Sequence, residues 1–354
     1  MKKSALWRDL DGAKLIPALL CAVPWLAAGL MALRLAARPI LDFEAIRDAY
    51  NDLTIRLPIL FGVVSACLCL SGGFARQRWL RIAASAYGAI ALACVALRIH
   101  ATHIEPKLLA VREAELASPK IGRPIRLLHI SDIQSDAVGR YEERVFDRMR
   151  ALNPDLIVQT GDLLQPVPPA TAESELPKME RLFETLHPPL GVWGVYGICP
   201  RLEDNTLGGM RILENDGAEI RAGESCIRIF GLGLDRSQAL FADSAVERWL
   251  SQPAESAFRL LIGHAPDFAL WAREREIDLC LAGHTHGGQV RLPFFGPIVT
   301  LSQAPREWAR GFRRIGTPWL NVSAGIGVER AAGLPPIRFF CRPEMTLIRL
   351  VPSK

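Results

Sequence analysis

Three long stretches without a charged residue lie in the first third of the chain, and they constrain its fold most strongly. They run from Leu15 to Leu33, from Leu57 to Ala75 and from Ile82 to Leu97. The first two are long enough to span a bilayer, which takes about 20 apolar residues in a helix. The third is shorter, and a buried core helix is the alternative for it. We therefore predict a transmembrane region over residues 1–104 with about three helices.

Basic residues flank these stretches unevenly. They are Lys2, Lys3, Arg8 and Lys14 before the first stretch, and Arg76, Arg78 and Arg81 between the second and the third. Cytoplasmic loops carry an excess of Lys and Arg, so both places are predicted to be cytoplasmic and Arg38–Arg56 to be an external loop. Three spans in a cytoplasmic membrane then place the rest of the chain outside the cytoplasm. If the third stretch lies only at the interface, the rest of the chain is cytoplasmic.

The segment GHTHGGQ, from Gly283 to Gln289, directly follows the apolar run Ile277–Ala282. In extended backbone His284 and His286, two positions apart, point to the same side. The neighbouring glycines allow a tight turn and a close approach to a ligand. Two imidazoles aimed at one point are typical metal ligands. A polar turn that holds two histidines by chance is the alternative, which we disfavour because the chain has only seven histidines.

Three further apolar runs each end at a residue that can bind a metal. These are Arg126–Ile130 before Asp132 and Gln134, Leu156–Thr160 before Asp162, and Phe258–Ile262 before His264. Open α/β sheets place their sites at the carboxyl ends of their strands. One aspartate after a strand is usually a cap or turn residue, but three such positions together with the histidine pair predict a metal site.

The region from about Arg123 to the end resembles the calcineurin-like metallophosphoesterases, most closely their membrane-attached bacterial branch. The matching motifs are SDIQ at 131–134, TGD at 160–162, IGH at 262–264 and GHTHGGQVRLPFFGP at 283–297. The resemblance implies an α/β fold of four layers, two stacked mixed sheets flanked by helices, preceded here by the helical transmembrane region. We place this domain at 123–354 and predict a linker helix over 105–122. Further helices are expected at Tyr141–Leu152, Leu176–Leu186 and Thr206–Asn215.

The resemblance also implies ligand roles for two divalent metal ions. Asp132 and His286 would hold the first, with Gln134 at a position where the family has histidine. Asp162 would bridge both ions, and His264 and His284 would hold the second. Mixed Asp and His ligation suits Mn, Fe or Zn better than Ca. Asp162 and His284 are the catalytic candidates on this basis.

One motif departs from the family pattern. The family has GNH followed by Asp or Glu after a strand, whereas this chain has Gly197-Ile198-Cys199-Pro200. Ile198 cannot ligate a metal, and Cys199 occupies the position of the histidine that assists the leaving group. Loss of a general acid typically costs about 10²–10⁴-fold in rate. A small apolar filler is the favoured interpretation of Cys199, and Asp204 or Asn205 are open as substitute ligands.

These features predict a membrane-anchored, metal-dependent phosphoesterase. Its partners would be the lipid bilayer and a phosphomonoester, phosphodiester or pyrophosphate, in the form of an amphiphilic substrate. A degenerate, membrane-tethered sensor of phospho-ligands is the alternative. The basic segment Arg306–Arg314 could meet an anionic headgroup or be a solvated face, and the apolar loop Leu292–Pro297 could hold an acyl chain or be core. A net charge of only +5 gives no support to nucleic-acid binding.

Overall fold

The computed structural model describes residues 12–38, 43–75, 78–198, 206–252 and 256–353. The chain divides into two compact units. The first comprises the residues up to Thr102 together with Arg330–Pro335. The second comprises His103–Glu329 and Pro336–Lys354.

The described part of the first unit contains four α-helices. They are α1 (Gly12–Ala36), α2 (Phe43–Asn51), α3 (Leu57–Ala75) and α4 (Arg78–Ile99). Within the described residues, three helical segments are long and apolar enough to cross a membrane: Ile16–Ala36, Phe43–Ser71 and Arg78–Lys107. The three charge-free stretches are therefore helical, as predicted. The third gains its length from helical residues on both of its sides.

The prediction of a loop over Arg38–Arg56 is wrong for its larger part. Helix α2 begins at Phe43, and the helical turn Asp52–Arg56 carries it into α3. No glycine or proline lies between Phe43 and Leu57, so nothing in this segment ends a helix. The mixed charges that indicated a loop instead lie on a helix that continues into the second apolar stretch.

Helices α3 and α4 supply the core of the first unit. Phe61 and Leu68 of α3 are buried with Leu80 and Tyr87 of α4. The Tyr87 hydroxyl donates a 2.7 Å hydrogen bond to the backbone oxygen of Cys21 in α1. Most other large apolar side chains of these helices are exposed, as expected of surfaces that face lipid.

The second unit contains two large mixed sheets. The first has seven strands in the order β1-β15-β2-β3-β4-β6-β5. These are β1 (Ala110–Ser118), β2 (Ile125–Ile130), β3 (Leu156–Gln159), β4 (Val192–Gly194), β5 (Thr206–Leu207), β6 (Met210–Ile212) and β15 (Glu344–Pro352). Strands β2, β3, β4 and β6 are parallel, so their carboxyl ends share one edge.

The other large sheet has six strands in the order β13-β14-β10-β9-β8-β7. These are β7 (Asp216–Ala222), β8 (Ser225–Gly231), β9 (Ala257–Ile262), β10 (Leu279–Ala282), β13 (Gly311–Arg314) and β14 (Trp319–Val322). Strands β8, β9, β10 and β14 run parallel. The short pair β11 (Arg291–Leu292) and β12 (Gly296–Pro297) forms a separate hairpin.

The two large sheets pack face to face with helices on their outer faces. Leu127 and Ile348 of the first sheet are buried in one cluster with Phe258 and Leu281 of the second. Helices α5 (Arg140–Ala151) and α6 (Ala172–Phe183) cover the first sheet. Helices α7 (Leu234–Ser237), α8 (Ser244–Ser251) and α9 (Ala269–Ala272) follow β8 and β9, and α8 and α9 pack on the second sheet. The predicted four-layer α/β sandwich is therefore confirmed.

The linker helix predicted over 105–122 is wrong. Only a short helical turn, Glu105–Lys107, precedes β1, which pairs in parallel with β15 at the edge of the first sheet. Ala114 and Leu116 pack on the core between the sheets, while Glu113 is exposed. Ala, Glu and Leu favour helices intrinsically, but pairing with a distant strand outweighs that preference. The second unit therefore begins at His103 rather than at 123.

The helix predicted over Thr206–Asn215 is also wrong. The segment forms a tight hairpin, β5 and β6, turning at Gly208 and Gly209, both of which have positive φ. Adjacent glycines favour hairpin turns because they adopt this conformation without a steric penalty.

Candidate metal centre

The predicted ligands all follow strands of the two large sheets. Asp132 and Asp162 come after β2 and β3 of the first sheet, and His264 comes after β9 of the second. His284 and His286 lie in the turn after β10. Because these strands run parallel within their sheets, their carboxyl ends bring residues distant in sequence to one edge of the sandwich.

Distances show that these side chains converge. Asp132, Asp162 and His264 each offer one ligand atom, and these atoms lie within 4.8 Å of one another. His286 Nε2 is 3.5 Å from Asp132 Oδ1, and His264 Nε2 is 3.5 Å from Asp162 Oδ2. The His264 and His284 rings are 5.0 Å apart between centroids. The structure thus brings all five residues together, and their individual roles as ligands stay predictions.

The backbone at this centre is strained. Five of the six predicted ligands have positive φ: Asp132 (47°), Gln134 (33°), Asp162 (55°), His284 (66°) and His286 (49°). Residues with a Cβ rarely adopt this left-handed region, and each such residue costs about 1–3 kcal/mol. Strain of this kind concentrates at functional sites, where it aims side chains that regular structure would point elsewhere.

Two glycines allow the chain to pass directly beside the carboxylates. A Cβ on Gly283 would overlap Ser131 Oγ and Asp132 Oδ2. A Cβ on Gly197 would overlap Asp162 Oδ1. Only glycine lets the backbone approach these side chains so closely, so the turns after β4 and β10 are built around the two aspartates.

Hydrogen bonds orient the ligand atoms. His264 Nδ1 lies 2.8 Å from the backbone oxygen of Thr160, so it carries the ring proton and leaves Nε2 as a lone pair. A metal-bound histidine commonly donates its other nitrogen to a carbonyl in this manner. Both oxygens of Asp132 accept from the backbone N–H of His284, at 3.0 and 3.1 Å.

Several buried polar atoms at the centre have no hydrogen-bond partner among the residues that the structure describes. They are His264 Nε2, both ring nitrogens of His286 and Gln134 Oε1. A buried polar atom left unpaired costs about 1–3 kcal/mol, and such atoms call for an explanation such as an ion. Imidazole lone pairs and carboxylates are the donor set of Mn, Fe and Zn sites, so the residues present fit the metal ions that the resemblance implies.

Electrostatics also indicate a cation. Burial, aided by the nearby charge of Asp162 and opposed by His264, raises the pKa of Asp132 to about 7. Burial lowers the pKa of His284, and it lowers the pKa of His286 well below the ordinary value. The ionised form of a buried carboxylate is costly beside neutral imidazoles, and divalent cations would offset that cost.

The altered segment contacts Asp162 through its backbone. The N–H of Ile198 donates to Asp162 Oδ1. The Ile198 side chain is 54% exposed, and its hydrocarbon offers no ligand atom. The described part of the segment, Gly197 and Ile198, therefore positions the predicted bridging carboxylate without adding a side-chain ligand. Cys199, Asp204 and Asn205 lie outside the described residues, so the predictions for them stay open.

Gln134 contacts Glu329, a residue that the sequence motifs do not indicate. Its Nε2 donates to Asp162 Oδ2 at 2.9 Å and lies 3.2 Å from Glu329 Oε2. Gln165 Nε2 donates to Glu329 Oε1 at 2.6 Å, and the Glu329 N–H donates to Gln289 Oε1. Glu329 follows β14 in the loop between β14 and β15, and no quoted motif marks it. The centre therefore has a further carboxylate at its border.

Fold and site together define a two-sheet α/β protein with a candidate metal centre of Asp and His residues at the carboxyl ends of its strands. A family model described as calcineurin-like phosphoesterase matches residues 125–288. The second unit therefore carries a calcineurin-like phosphoesterase domain, which supports phosphoester hydrolysis and implies divalent metal ions.

Relatives from several bacteria agree with this assignment. The uncharacterized metallophosphoesterase YkuE of Bacillus subtilis is 28% identical over 265 residues, which cover 71% of this chain and 88% of YkuE. An uncharacterized metallophosphoesterase of Aquifex aeolicus is 26% identical, over 70% of this chain and 94% of that protein. The phosphodiesterase YaeI of Escherichia coli is 35% identical, but over only 26% of this chain and 32% of YaeI.

Proposed function

We propose that this protein is a metal-dependent phosphodiesterase anchored in a membrane by the helices of its first unit. The observation that carries the proposal is the pair of buried carboxylates, Asp132 and Asp162, facing imidazole nitrogens that have no hydrogen-bond partner in the described part of the chain. Structural ion pairs satisfy their polar atoms internally. Here the unsatisfied imidazole nitrogens are the atoms that a bound metal ion would satisfy.

The ligand assignment follows the contacts. His286 Nε2 lies beside Asp132, and Gln134 lies beside Asp162, so these four would hold the first ion. Asp162 would also contribute to the second ion with His264 and His284. When bound, such a pair of cations stabilises charge on a phosphoryl group and lowers the pKa of a bound water.

The residues of the chain orient this centre. The Gln134 amide and the Ile198 N–H fix the two oxygens of Asp162, so that this carboxylate cannot rotate away. The His284 N–H holds Asp132 in the same way. Glu329, joined to Asp162 through Gln134, is our candidate for moving a proton to or from a leaving group. The family's histidine for that step is absent from the sequence.

The substrate class rests on analogy and on the candidate spans. The relative YaeI is named a phosphodiesterase, which favours a phosphodiester over a phosphomonoester or pyrophosphate. Three helices able to cross a membrane favour a substrate that is itself amphiphilic and lies near a bilayer. Both points extend the family's general chemistry to this chain.

A matched pair of variants tests the proposal. Full-length protein in nanodiscs would be assayed on bis(p-nitrophenyl) phosphate with Mn²⁺, and its metal content measured by mass spectrometry. Asp162→Asn should lose hydrolysis and metal together, because it removes the negative charge between the cations. Asp147→Asn, on the exposed face of α5, should retain both. Hydrolysis that persists at the wild-type rate in Asp162→Asn would refute the assignment.

A phospho-ligand sensor is the second candidate, favoured by the side chain of Ile198, which cannot ligate. The double substitution Ile198→Asn with Cys199→His restores the family's residue types. An enzyme with an impaired centre should gain turnover from this change. A restored variant that binds metal but hydrolyses no phosphoester would favour the sensor.

A further inference from the structure

An exposed aromatic hairpin lies beside the metal centre. Strands β11 and β12 are joined by Pro293-Phe294-Phe295. Phe294 is fully exposed, and Phe295 is 59% exposed. Aromatic rings presented to water in this way mark surfaces that contact something else.

Neighbouring segments enlarge this surface. Val290 forms a β-bridge with Phe339, whose ring contacts that of Phe340. We call the set the hairpin patch, and its exposed members are Leu292, Phe294, Phe295, Ile298, Leu301 and Phe340. The backbone oxygen of Leu301 lies 3.2 Å from His284 Nε2, so the patch is continuous with the metal centre.

The tip of the hairpin is strained as well as exposed. Phe294 has φ of 66°, a conformation that is a genuine outlier for a bulky residue. Strain and solvent exposure of an aromatic ring both cost free energy, and neither is offset by packing within the domain. A strained, exposed residue of this kind is expected where a binding partner compensates.

Arginines border the patch. The Arg306 guanidinium lies 4.4 Å from the centroid of the Phe295 ring and donates to the backbone oxygen of Pro297. Arg291 donates to the backbone oxygen of Gly287 at 2.8 Å. Among the described residues, no carboxylate forms an ion pair with Arg291 or Arg306. The patch therefore presents aromatic rings beside cations that are available to an anionic partner.

We propose that the hairpin patch docks into the interfacial layer of an anionic lipid bilayer, with Phe294 and Phe295 among the acyl chains and Arg291 and Arg306 at the lipid phosphates. Phe and Leu side chains bury themselves at the boundary between headgroups and acyl chains, and each arginine near an anionic surface strengthens binding. The last candidate span ends at Lys107 and β1 begins at Ala110. This short connection tethers the second unit to a bilayer that the span crosses. The surface would thus hold the metal centre close to lipid substrates.

Photocrosslinking tests the docking without any assay of activity. The full chain carrying p-benzoylphenylalanine in place of Phe294 is reconstituted in nanodiscs of phosphatidylcholine with phosphatidylglycerol and irradiated, and lipid adducts are identified by mass spectrometry. The control carries the same probe in place of Phe241, which is 82% exposed in the segment between α7 and α8. We expect lipid adducts at 294 in clear excess over 241. Equal adduct yields, or crosslinks from 294 mainly to a second copy of the chain, would overturn the proposal.

A second arm tests the charges. In the Phe294 probe background, Arg306→Gln should lower the adduct yield roughly fivefold, because one basic residue near the surface contributes about that factor. Arg306→Lys retains the charge and should retain the yield. Nanodiscs of phosphatidylcholine alone should lower the yield with Arg306 present. An adduct yield that changes neither with lipid charge nor with the Arg306→Gln substitution would refute docking to an anionic bilayer.

Discussion

At the scale of residues, the convergence of the predicted ligands could be inferred from the sequence, but their backbone conformation and hydrogen bonds could not. The strand-end pattern indicated Asp132, Asp162 and His264 because parallel strands end at a common edge. Nothing in the sequence indicated the left-handed backbone at five ligands, or that the Thr160 carbonyl fixes the ring of His264. These features arise from contacts between segments that are far apart in the chain.

His264 offers a direct test of the ligand set. His264→Asn removes the Nε2 lone pair that faces Asp162, so bound metal should fall and the affinity of the second ion should drop by about tenfold or more. The measurement is metal content as a function of free Zn²⁺. His187→Asn, at an exposed position outside the centre, is the control. Equal titration curves for the two variants would show that His264 is no ligand.

Glu329 was missed by sequence reasoning because no motif surrounds it. If its carboxylate moves a proton, Glu329→Gln should lower kcat by about 10²–10⁴-fold and remove one limb of the pH–rate profile. Glu184→Gln, at an exposed position after α6, should keep both limbs. A Glu329→Gln profile with both limbs intact at an unchanged rate would exclude this role.

At the scale of elements, the predictions succeeded where hydrophobic pattern alone decides the structure. The helical pattern of α5 and α6 and the apolar runs of β2, β3, β9 and β10 are visible locally. They failed at β1, whose Ala, Glu and Leu residues favour a helix in isolation. The partner of β1 is β15, near the other end of the domain, and no local pattern reveals that pairing. The hairpin of β5 and β6 had a local sign, the Gly208-Gly209 pair, which was overlooked.

The glycine turns give a prediction at this scale. Gly283→Ala places a methyl group against Ser131 and Asp132, so it should weaken metal binding and cost about 1–3 kcal/mol in stability. At Gly122 the nearest atom to a new methyl would be Ser225 Oγ at 3.6 Å, an ordinary contact. Gly122→Ala should therefore leave metal binding unchanged. Metal titration and thermal unfolding of both variants check this, and similar behaviour of the two would argue against a steric role for Gly283.

At the scale of the whole molecule, the division into a helical unit and an α/β unit follows from composition. The three long charge-free stretches all lie in the first third, and alternating strands and helices occupy the remainder. The second unit begins at His103, whereas the sequence predicts a domain start at 123, because the residues of β1 resemble a linker helix. The metal centre lies wholly within the second unit, so membrane insertion and metal binding can be measured separately.

His129 should make the stability of the second unit depend on pH. Asn321 Nδ2 donates to its Nδ1 at 2.7 Å, so Nε2–H donates to Thr160 Oγ1 at 2.9 Å. Burial lowers the pKa of His129 from 6.5 to about 3. Between these values the unfolded chain binds a proton that the folded chain does not. Stability from this residue is therefore complete above pH 6.5 and declines as pH falls, by about 1.4 kcal/mol per pH unit.

The substitution His129→Gln isolates this contribution, because an amide can make both hydrogen bonds without titrating. Unfolding by urea with a chelator present would be followed between about pH 6.5 and pH 4. On acidification the free energy of unfolding of the wild type should fall more steeply than that of the variant, by about 1.4 kcal/mol per pH unit, the slope expected for one proton. Other buried groups titrate in both proteins and cancel in the difference. Parallel curves for the two would show that His129 is not held neutral by the fold.

The orientation of the chain in a membrane is the prediction on which the cellular role depends. Lys2, Lys3, Arg8 and Lys14 precede the first candidate span, and Arg76, Arg78 and Arg81 lie where the second gives way to the third. Between the first two spans, which end at Ala36 and begin at Phe43, the sequence has one basic residue, Arg38. Positive residues favour the cytoplasmic side, so three spans should place the metal centre outside the cytoplasm.

Alkaline phosphatase and green fluorescent protein fused after Lys354 test this orientation in a bacterial host. Alkaline phosphatase should be active and green fluorescent protein dark, because each folds on only one side of the membrane. A shorter fusion after Gln77, in the basic loop, should give the opposite result and shows that the reporters respond. A fluorescent fusion after Lys354 would mean that Arg78–Lys107 does not cross the bilayer. The hairpin patch and the metal centre would then face the cytoplasmic leaflet, where anionic lipids are abundant.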